Sequence, residues 1–195
     1  YYYLCDEPEC RTVSPIYLKH QYDLIKALDP YHPVVIVTRA PENYTQCADI
    51  LSPHPYINPV VDAKGRRTLR SGPMTMIRQQ IQMVLTAGKG RVAPWLTPQA
   101  FTYSIADLDA DYPTFIEFRC MIYSAIANGC RGFYPYLYFD HFNSLDLRLG
   151  CDFIYETLAS LDPFLLSPAQ PCPVKVDAPE NGVDVWIKKV DGKVL

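Results

Sequence analysis

The first apolar run of the chain reads Tyr-Tyr-Tyr-Leu-Cys. Three carboxylates follow it, Asp6, Glu7 and Glu9, and Pro8 lies between the last two. The run predicts a buried strand, and Pro8 ends strand pairing because it has no N–H to donate. Partial burial or a neighbouring charge can keep one of two adjacent carboxyl groups protonated. A protonated acid beside a second group is what cleavage of a glycosidic bond requires. Glu7 is therefore the candidate general acid and Asp6 its candidate assistant. The alternative is a solvated loop that caps the next helix.

Six further polar or aromatic residues lie in predicted strands or just after them and are candidates for contact with a sugar. Aromatic rings stack on the C–H faces of sugars, and sugar hydroxyl groups need polar partners. Core packing is the alternative role for the aromatic members. We expect packing for at least one of the three tyrosines that alternate on the last strand, which are Tyr134, Tyr136 and Tyr138. The candidate substrate-binding residues are Arg39, His54, Tyr56, Trp95, Gln99 and Tyr136.

The composition indicates a folded chain of one to one and a half domains. The 195 residues are 49% hydrophobic and 20% charged, with a formal charge of −3, which is enough apolar material for a real core. No basic stripe suggests nucleic acid, and no apolar run approaches the roughly 20 residues that span a bilayer. The seven cysteines form no C-x-x-C, although a Cys5–Cys10 disulfide is left open. No cluster has metal-ligand spacing, so no metal or cofactor is predicted.

Strand and helix patterns alternate about five times along the chain. Continuous apolar strands that do not alternate in polarity predict a parallel sheet with helices outside it. Right-handed crossovers then gather the functional loops at the carboxyl ends of the strands. Residues 61–72 are polar and predict a loop. The predicted strands are 1–5, 34–38, 48–52, 91–96 and 132–139, and the predicted helices are 14–28, 74–86, 114–128 and 147–161, with a short one in 41–47.

The chain divides at a proline-rich stretch, residues 163–173. Residues 1–165 hold the β/α units, and residues 166–195 read as a linker and a hairpin around Asp191-Gly192 that ends at Leu195. A closed eight-stranded barrel takes about 250 residues, so five units predict that further units precede Tyr1. An open doubly wound sheet is the alternative that needs no further strands. No G-x-G-x-x-G or P-loop motif is present to favour it.

Several segments together resemble the C-terminal half of a (β/α)₈ barrel of glycoside-hydrolase type. YYYLCDEPE resembles a strand 4 that ends in an Asp-Glu-Pro acid motif, and DLIKALDPYHPVVIV resembles the connection from helix 4 to strand 5. ADILSPHPY resembles strand 6, and RVAPWLTPQAF resembles strand 7. PTFIEFRCMIYSAIANGCRGFYPYLYF resembles helix 7 and strand 8. The resemblance implies a partial TIM barrel, about strands 4 to 8, followed by the start of a small β-domain.

The resemblance also implies a glycosidase in which Glu7 is the general acid, but it supplies no nucleophile. Gln99 stands where retaining enzymes of this type carry a glutamate, and an amide cannot attack an anomeric carbon as a carboxylate can. One interpretation is substrate-assisted hydrolysis, similar to the Asp-Glu-dependent hexosaminidase-like barrels, with Asp6 orienting an acetamide. A second places the partner at Asp49, at Glu117 or before Tyr1, although Asp49 and Glu117 are both expected to be structural. A third is glycan binding without cleavage.

The implied ligand is an oligosaccharide or polysaccharide, with no predicted nucleic-acid, membrane or protein partner. No signal peptide is visible in the sequence. The resemblance is compatible with a secreted or periplasmic protein, and the location is otherwise undetermined.

Overall fold

The computed structural model describes residues 1–104, 110–136, 143–167, 185, 187–190 and 193–194. It is a mixed α/β fold around a five-stranded parallel sheet. The strands in chain order are β1 Tyr2–Asp6, β2 Val34–Val37, β3 Ile50–Ser52, β4 Pro59–Val61, β5 Arg67–Leu69, β6 Ala93–Leu96 and β7 Gly132–Phe133. The sheet order is β1-β2-β3-β6-β7, and β4 and β5 form a separate antiparallel hairpin.

Helices occupy the connections between the parallel strands. They are α1 Pro15–Leu28, α2 Met76–Gly88, α3 Phe115–Ala127, α4 Leu145–Ser160 and α5 Asp162–Leu165, with a 3-10 helix at Pro41–Asn43. The parallel strands therefore follow one another in space in the order in which they occur in the chain. Among the described strands no pairing joins β1 to β7, so the sheet is not closed. No helix in this part of the chain is long and apolar enough to cross a membrane.

One face of the sheet packs against all four long helices. Ile36, Leu51 and Leu96 project from β2, β3 and β6 toward them and are fully buried. The first two lie in one apolar cluster with α1 and α2, and Leu96 lies in a second with α2, α3 and α4. Burial of these side chains stabilises the fold by roughly 2 kcal/mol each. The helical partners include Leu18, Val84, Ile81, Phe118, Leu147 and Ile154.

Helix α1 begins where the sequence predicts, with Ser14 as the N-cap and Pro15 in the first turn. Ser14 precedes the helix with an extended backbone, and its Oγ accepts a hydrogen bond of 3.2 Å from the Ile16 N–H. Pro15 occupies the first helical position, where its missing N–H costs nothing. The local chemistry of the sequence therefore sets where α1 begins.

Replacing Ser14 with alanine is expected to lower the free energy of unfolding by about 1 kcal/mol, because the first turn loses a capping acceptor. Urea denaturation measures the loss. Thr75→Ala is the matched control, since Thr75 precedes α2 without a side-chain capping bond. Equal losses in the two variants would contradict the role of the Ser14 cap.

The prediction of a loop over residues 61–72 is wrong, because β4, β5 and the turn between them form a hairpin around this segment. The Asp62 Oδ1 accepts the N–H groups of Lys64 and Arg66 at 2.9 Å each, and Gly65 takes a positive φ of 73° in the turn. The Asp-x-x-Gly spacing is typical of a turn between two strands, but the polar composition of the segment indicated a loop without strands.

The end of α2 also differs from the prediction, which had Gly88 close a helix that ends at Thr86. Gly88 is the last helical residue, and the left-handed residue is Lys89, at a φ of 47°. A Cβ on Gly88 would lie 2.5 Å from a Val92 methyl carbon. Position 88 therefore requires a glycine, because the chain passes close to it at Val92 and leaves no space for a side chain.

The strand predicted over residues 132–139 is shorter, since β7 covers only Gly132–Phe133. Tyr136 makes an isolated parallel bridge to Gln99, and residues 137–139, including Tyr138, lie outside the described residues. In the tail, β8 Lys189–Val190 pairs antiparallel with β9 Lys193–Val194 on either side of the predicted Asp191-Gly192 turn. Helix α5 occupies the start of the proline-rich stretch. Residues 168–173 lie outside the described residues.

The six described cysteines are all free thiols, so Cys5 and Cys10 are not joined. Cys151 is buried among apolar side chains, and burial raises the pKa of its thiol to about 12. Such a thiol behaves as a small core residue. Cys172 lies outside the described residues.

Candidate active site

Glu7 lies directly after β1 in an unusual backbone conformation. Its N–H donates to the Val37 carbonyl at 2.9 Å, and its own carbonyl accepts the N–H groups of Cys10 and Arg11. Its φ is 44°, in the left-handed region that costs a non-glycine residue roughly 1 kcal/mol or more. The chain thus turns sharply at the carboxyl end of the sheet, beside the end of β2.

Two side chains from neighbouring strand ends converge on the Glu7 carboxylate. Its Oε1 lies 3.0 Å from Arg39 Nη2 and 3.1 Å from His54 Nε2. Arg39 follows β2 and His54 follows β3, so three successive strand ends contribute one residue each. The Glu7 side chain is 30% exposed, and solvent therefore still reaches the group.

His54 is buried beneath this cluster, with only 5% of the residue exposed. Its Nε2 is close to Glu7 but not aligned with it, and has no hydrogen-bond partner among the described residues. Burial lowers the pKa of His54, the Glu7 carboxylate opposes this, and Arg39 adds to the lowering. The neutral imidazole is therefore the favoured form at neutral pH.

Asp6 faces the same side of the sheet as Tyr3. A bulge between Tyr3 and Cys5 breaks the alternation of β1, and the Asp6 Oδ1 accepts the Tyr3 hydroxyl at 3.1 Å. Its Oδ2 pairs with Arg11 at 3.2 Å, and the side chain is 41% exposed. Each carboxylate oxygen can accept more than one hydrogen bond, so Asp6 keeps spare acceptor capacity.

Glu9 positions the chain around Arg39. Its carboxylate accepts the Thr38 hydroxyl at 2.8 Å and the Arg39 N–H at 2.7 Å. The Arg39 guanidinium also donates to the Cys10 Sγ at 3.4 Å. The third carboxylate of the opening stretch therefore holds the residue after β2 in place, a role that the sequence analysis did not assign.

An aromatic cluster continues from His54. The ring of His54 lies 5.0 Å from that of Tyr56, which contacts Phe101 at 5.0 Å and stacks on Tyr136 at 6.2 Å. Tyr103 packs against Phe101 at 4.8 Å. Burial raises the pKa of Tyr103, and the negative charge of Glu7 raises it further. Tyr103 and Tyr136 are 38% and 45% exposed, so their rings remain accessible.

Trp95 and Gln99 make contacts that differ from those of Arg39 and His54, which lie against Glu7. Trp95 makes its ring contacts with Tyr1 and Tyr134, at 5.6 and 6.0 Å. Gln99 is fully buried, its Oε1 accepts the Asn58 N–H, and its Nε2 donates to the Phe101 carbonyl. Gln99 therefore supports the segment that carries Phe101 and Tyr103, two residues that the sequence analysis missed.

Asp49 and Glu117 are engaged elsewhere, as expected from their positions in the sequence. Asp49 precedes β3 and accepts the Val34 N–H and the Tyr22 hydroxyl. Glu117 lies in the first turn of α3, where it completes a capping box with Thr114. Neither of these carboxylates bonds to a residue of the Glu7 cluster.

Among the residues that the structure describes, no group of three or more histidine, cysteine or acidic side chains could hold a metal ion. The arrangement at the strand ends is a carboxylate, a guanidinium and a buried imidazole beside exposed aromatic rings. Comparison with protein-family models, with curated proteins and with solved structures finds no match.

Proposed function

We propose that this chain belongs to a glycoside-hydrolase-type barrel and that Glu7 donates the proton in cleavage of a glycosidic bond. The observation that carries the proposal is the position of Glu7 at the carboxyl end of a parallel sheet, 3.1 Å from His54, whose ring joins the aromatic cluster that includes the exposed Tyr103 and Tyr136. Ligands bind at this edge of parallel β/α folds. Aromatic rings suit the apolar faces of a sugar.

The order of the strands supports a barrel. In a doubly wound sheet the order reverses and helices cover both faces. Here the five strands keep chain order, and α1 to α4 pack on one face, as they do around a barrel. A structure of the gene product with any residues encoded before Tyr1 tests this inference. Further parallel β/α units paired to β1 would support it, and a start codon directly before Tyr1 would oppose it.

The proposed chemistry is substrate-assisted. Glu7 protonates the oxygen of the leaving group, and the substrate's own acetamide oxygen attacks the anomeric carbon in place of an enzyme carboxylate. Asp6 accepts the acetamide N–H with its spare lone pairs and so orients the attacking oxygen. This route needs no carboxylate after β6, where the chain has the buried Gln99.

Glycan binding without cleavage is the second candidate. It is favoured by the contacts of Glu7 Oε1 with both Arg39 and His54, because a cation beside a carboxyl group favours the ionised form, which has no proton to donate. Assaying the protein on aryl glycosides and aryl N-acetylglycosaminides separates the two candidates. Glycan binding with no release of phenol would overturn the hydrolase proposal.

Replacing Asp6 with asparagine is expected to slow cleavage of aryl N-acetylglycosaminides by about tenfold, because the acetamide N–H loses a charged acceptor. Release of the phenol measures this rate. Asp23→Asn removes the same charge from the surface of α1, where Asp23 pairs with Lys19, and should leave the rate unchanged. An unchanged rate in Asp6→Asn would exclude the orienting role.

A further inference from the structure

We propose that Arg39 and His54 form an anion subsite beside Glu7, which takes the carboxylate or sulfate group of an acidic sugar. The glycan part of this inference rests on the proposed function, and it extends that function by naming the class of sugar. The subsite is assembled from the residues that follow β2 and β3.

Arg39 offers donors that the fold does not use. Its hydrogen bonds to Glu7 and Cys10 both come from Nη2, and no described residue bonds to Nη1 or Nε. The side chain is 55% exposed, so a ligand can reach it. Carboxylate and sulfate groups match the fork of a guanidinium, which can donate two parallel hydrogen bonds to them.

The backbone of Arg39 is already fixed before any ligand arrives. Its N–H donates to Glu9 Oε1, and Glu9 Oε2 holds the preceding Thr38. Such preorganisation lowers the entropy that ligand binding would otherwise cost. A guanidinium held in this way differs from an ordinary surface arginine.

His54 supplies the second and independent observation. The residue is 95% buried, since only 5% is exposed, and its Nε2 has no hydrogen-bond partner among the described residues. A buried polar atom without a partner is costly and rare, and at a functional site it points to a ligand atom. Glu7 Oε1 lies between Arg39 Nη2 and His54 Nε2, at 3.0 and 3.1 Å, without an aligned hydrogen bond to His54, and an anionic oxygen that displaced it would accept from both.

The subsite shares its cation with Glu7, since Arg39 Nη2 lies 3.0 Å from Glu7 Oε1. An anion on Arg39 therefore competes for the guanidinium that otherwise holds Glu7.

The test compares three probes of equal length: an oligogalacturonate, a sulfated oligogalactose and a neutral oligogalactose. Calorimetric titration of the protein at low ionic strength gives the Kd of each. We expect at least one acidic probe to bind about tenfold more tightly than the neutral one. Added salt should reduce this difference, because Arg39 is partly exposed.

Arg39→Gln is expected to remove the preference for the acidic probe. Arg66→Gln is the matched control, since Arg66 is 73% exposed on the hairpin and pairs with Asp62, and it should keep the preference. The comparison of probes on the unaltered protein holds even if Arg39→Gln fails to fold. Tighter binding of only one acidic probe would assign the subsite to carboxylated or to sulfated sugars.

Equal affinity for the acidic and neutral probes, or no binding of any probe, would overturn the subsite. So would a preference that survives in Arg39→Gln. The proposed function fails separately: a preference for acidic probes without cleavage of any glycoside leaves the subsite standing and removes the hydrolase. Cleavage of glycosides without such a preference leaves the hydrolase proposal standing and removes the subsite.

Discussion

Replacing Glu7 with glutamine is expected to lower kcat for aryl glycosides by about 100- to 10,000-fold, the usual contribution of a general acid. Glutamine has nearly the same shape, and its amide oxygen can still accept from Arg39 Nη2, which lies 3.0 Å from Glu7 Oε1. What it cannot do is deliver a proton to the leaving oxygen. The variant should therefore keep its fold and its affinity for glycans while it loses turnover.

The dependence on the leaving group identifies the role of Glu7. A dinitrophenolate leaves without much protonation, so its glycoside should lose far less rate than a simple phenyl glycoside does. Glu42→Gln removes an exposed carboxylate from the 3-10 helix and is the control for the change in charge. An equal loss for both leaving groups, or no loss in Glu7→Gln, would remove Glu7 from the role of acid.

The position of Glu7 could be predicted because it depends on local signals. A β-forming run, a proline and the strand-and-helix alternation place Glu7, Arg39 and His54 after successive strands. Parallel strands with right-handed connections bring such ends together. The alternation therefore places these three residues at one edge of the sheet, but it does not predict the contacts between their side chains.

The rest of the site depends on contacts between distant segments, which periodicity does not carry. Tyr103 reaches the cluster because the chain after β6 leaves the sheet, and that path is held by the buried amide of Gln99. The sequence predicts that Gln99 is a sugar ligand, because it is a polar residue at the end of a predicted strand. Its burial is set by Asn58, 41 residues earlier, and nothing local to Gln99 signals it.

The β4–β5 hairpin illustrates the same limit and depends on one arginine. Arg67 on β5 donates from Nε and Nη2 to the two oxygens of Glu117, at 2.9 and 2.6 Å. Its Nη1 donates to Asp111 at 2.6 Å. The side chains of Arg67 and Glu117 are 26% and 17% exposed. The hairpin is thus joined to the first turn of α3 by a bidentate, largely buried ion pair.

Replacing Arg67 with methionine is expected to lower the free energy of unfolding by about 3 kcal/mol. Methionine keeps much of the apolar stem but leaves the partly buried Glu117 carboxylate without its main partner, and breaking a buried ion pair costs several kcal/mol. Partial exposure of the pair keeps the loss at the lower end of that range. Urea denaturation at neutral pH measures it. Arg66→Met, one residue away and on an exposed pair, should cost less than about 1 kcal/mol.

The pH dependence distinguishes loss of the ion pair from loss of packing. Burial acts to raise the pKa of Glu117, but hydrogen bonds from Arg67 and from the Thr114 N–H outweigh it and hold the pKa below its usual value. A lowered folded-state pKa stabilises the protein above the unfolded pKa, near 4.5, and this stabilisation is lost as the pH falls through the folded value. The stability gap between the unaltered protein and Arg67→Met should therefore be full at neutral pH and narrow below about pH 4. A gap that stays constant into acid would mean that Arg67 acts through packing alone, and a gap no larger than that of Arg66→Met would show that the hairpin does not depend on this pair.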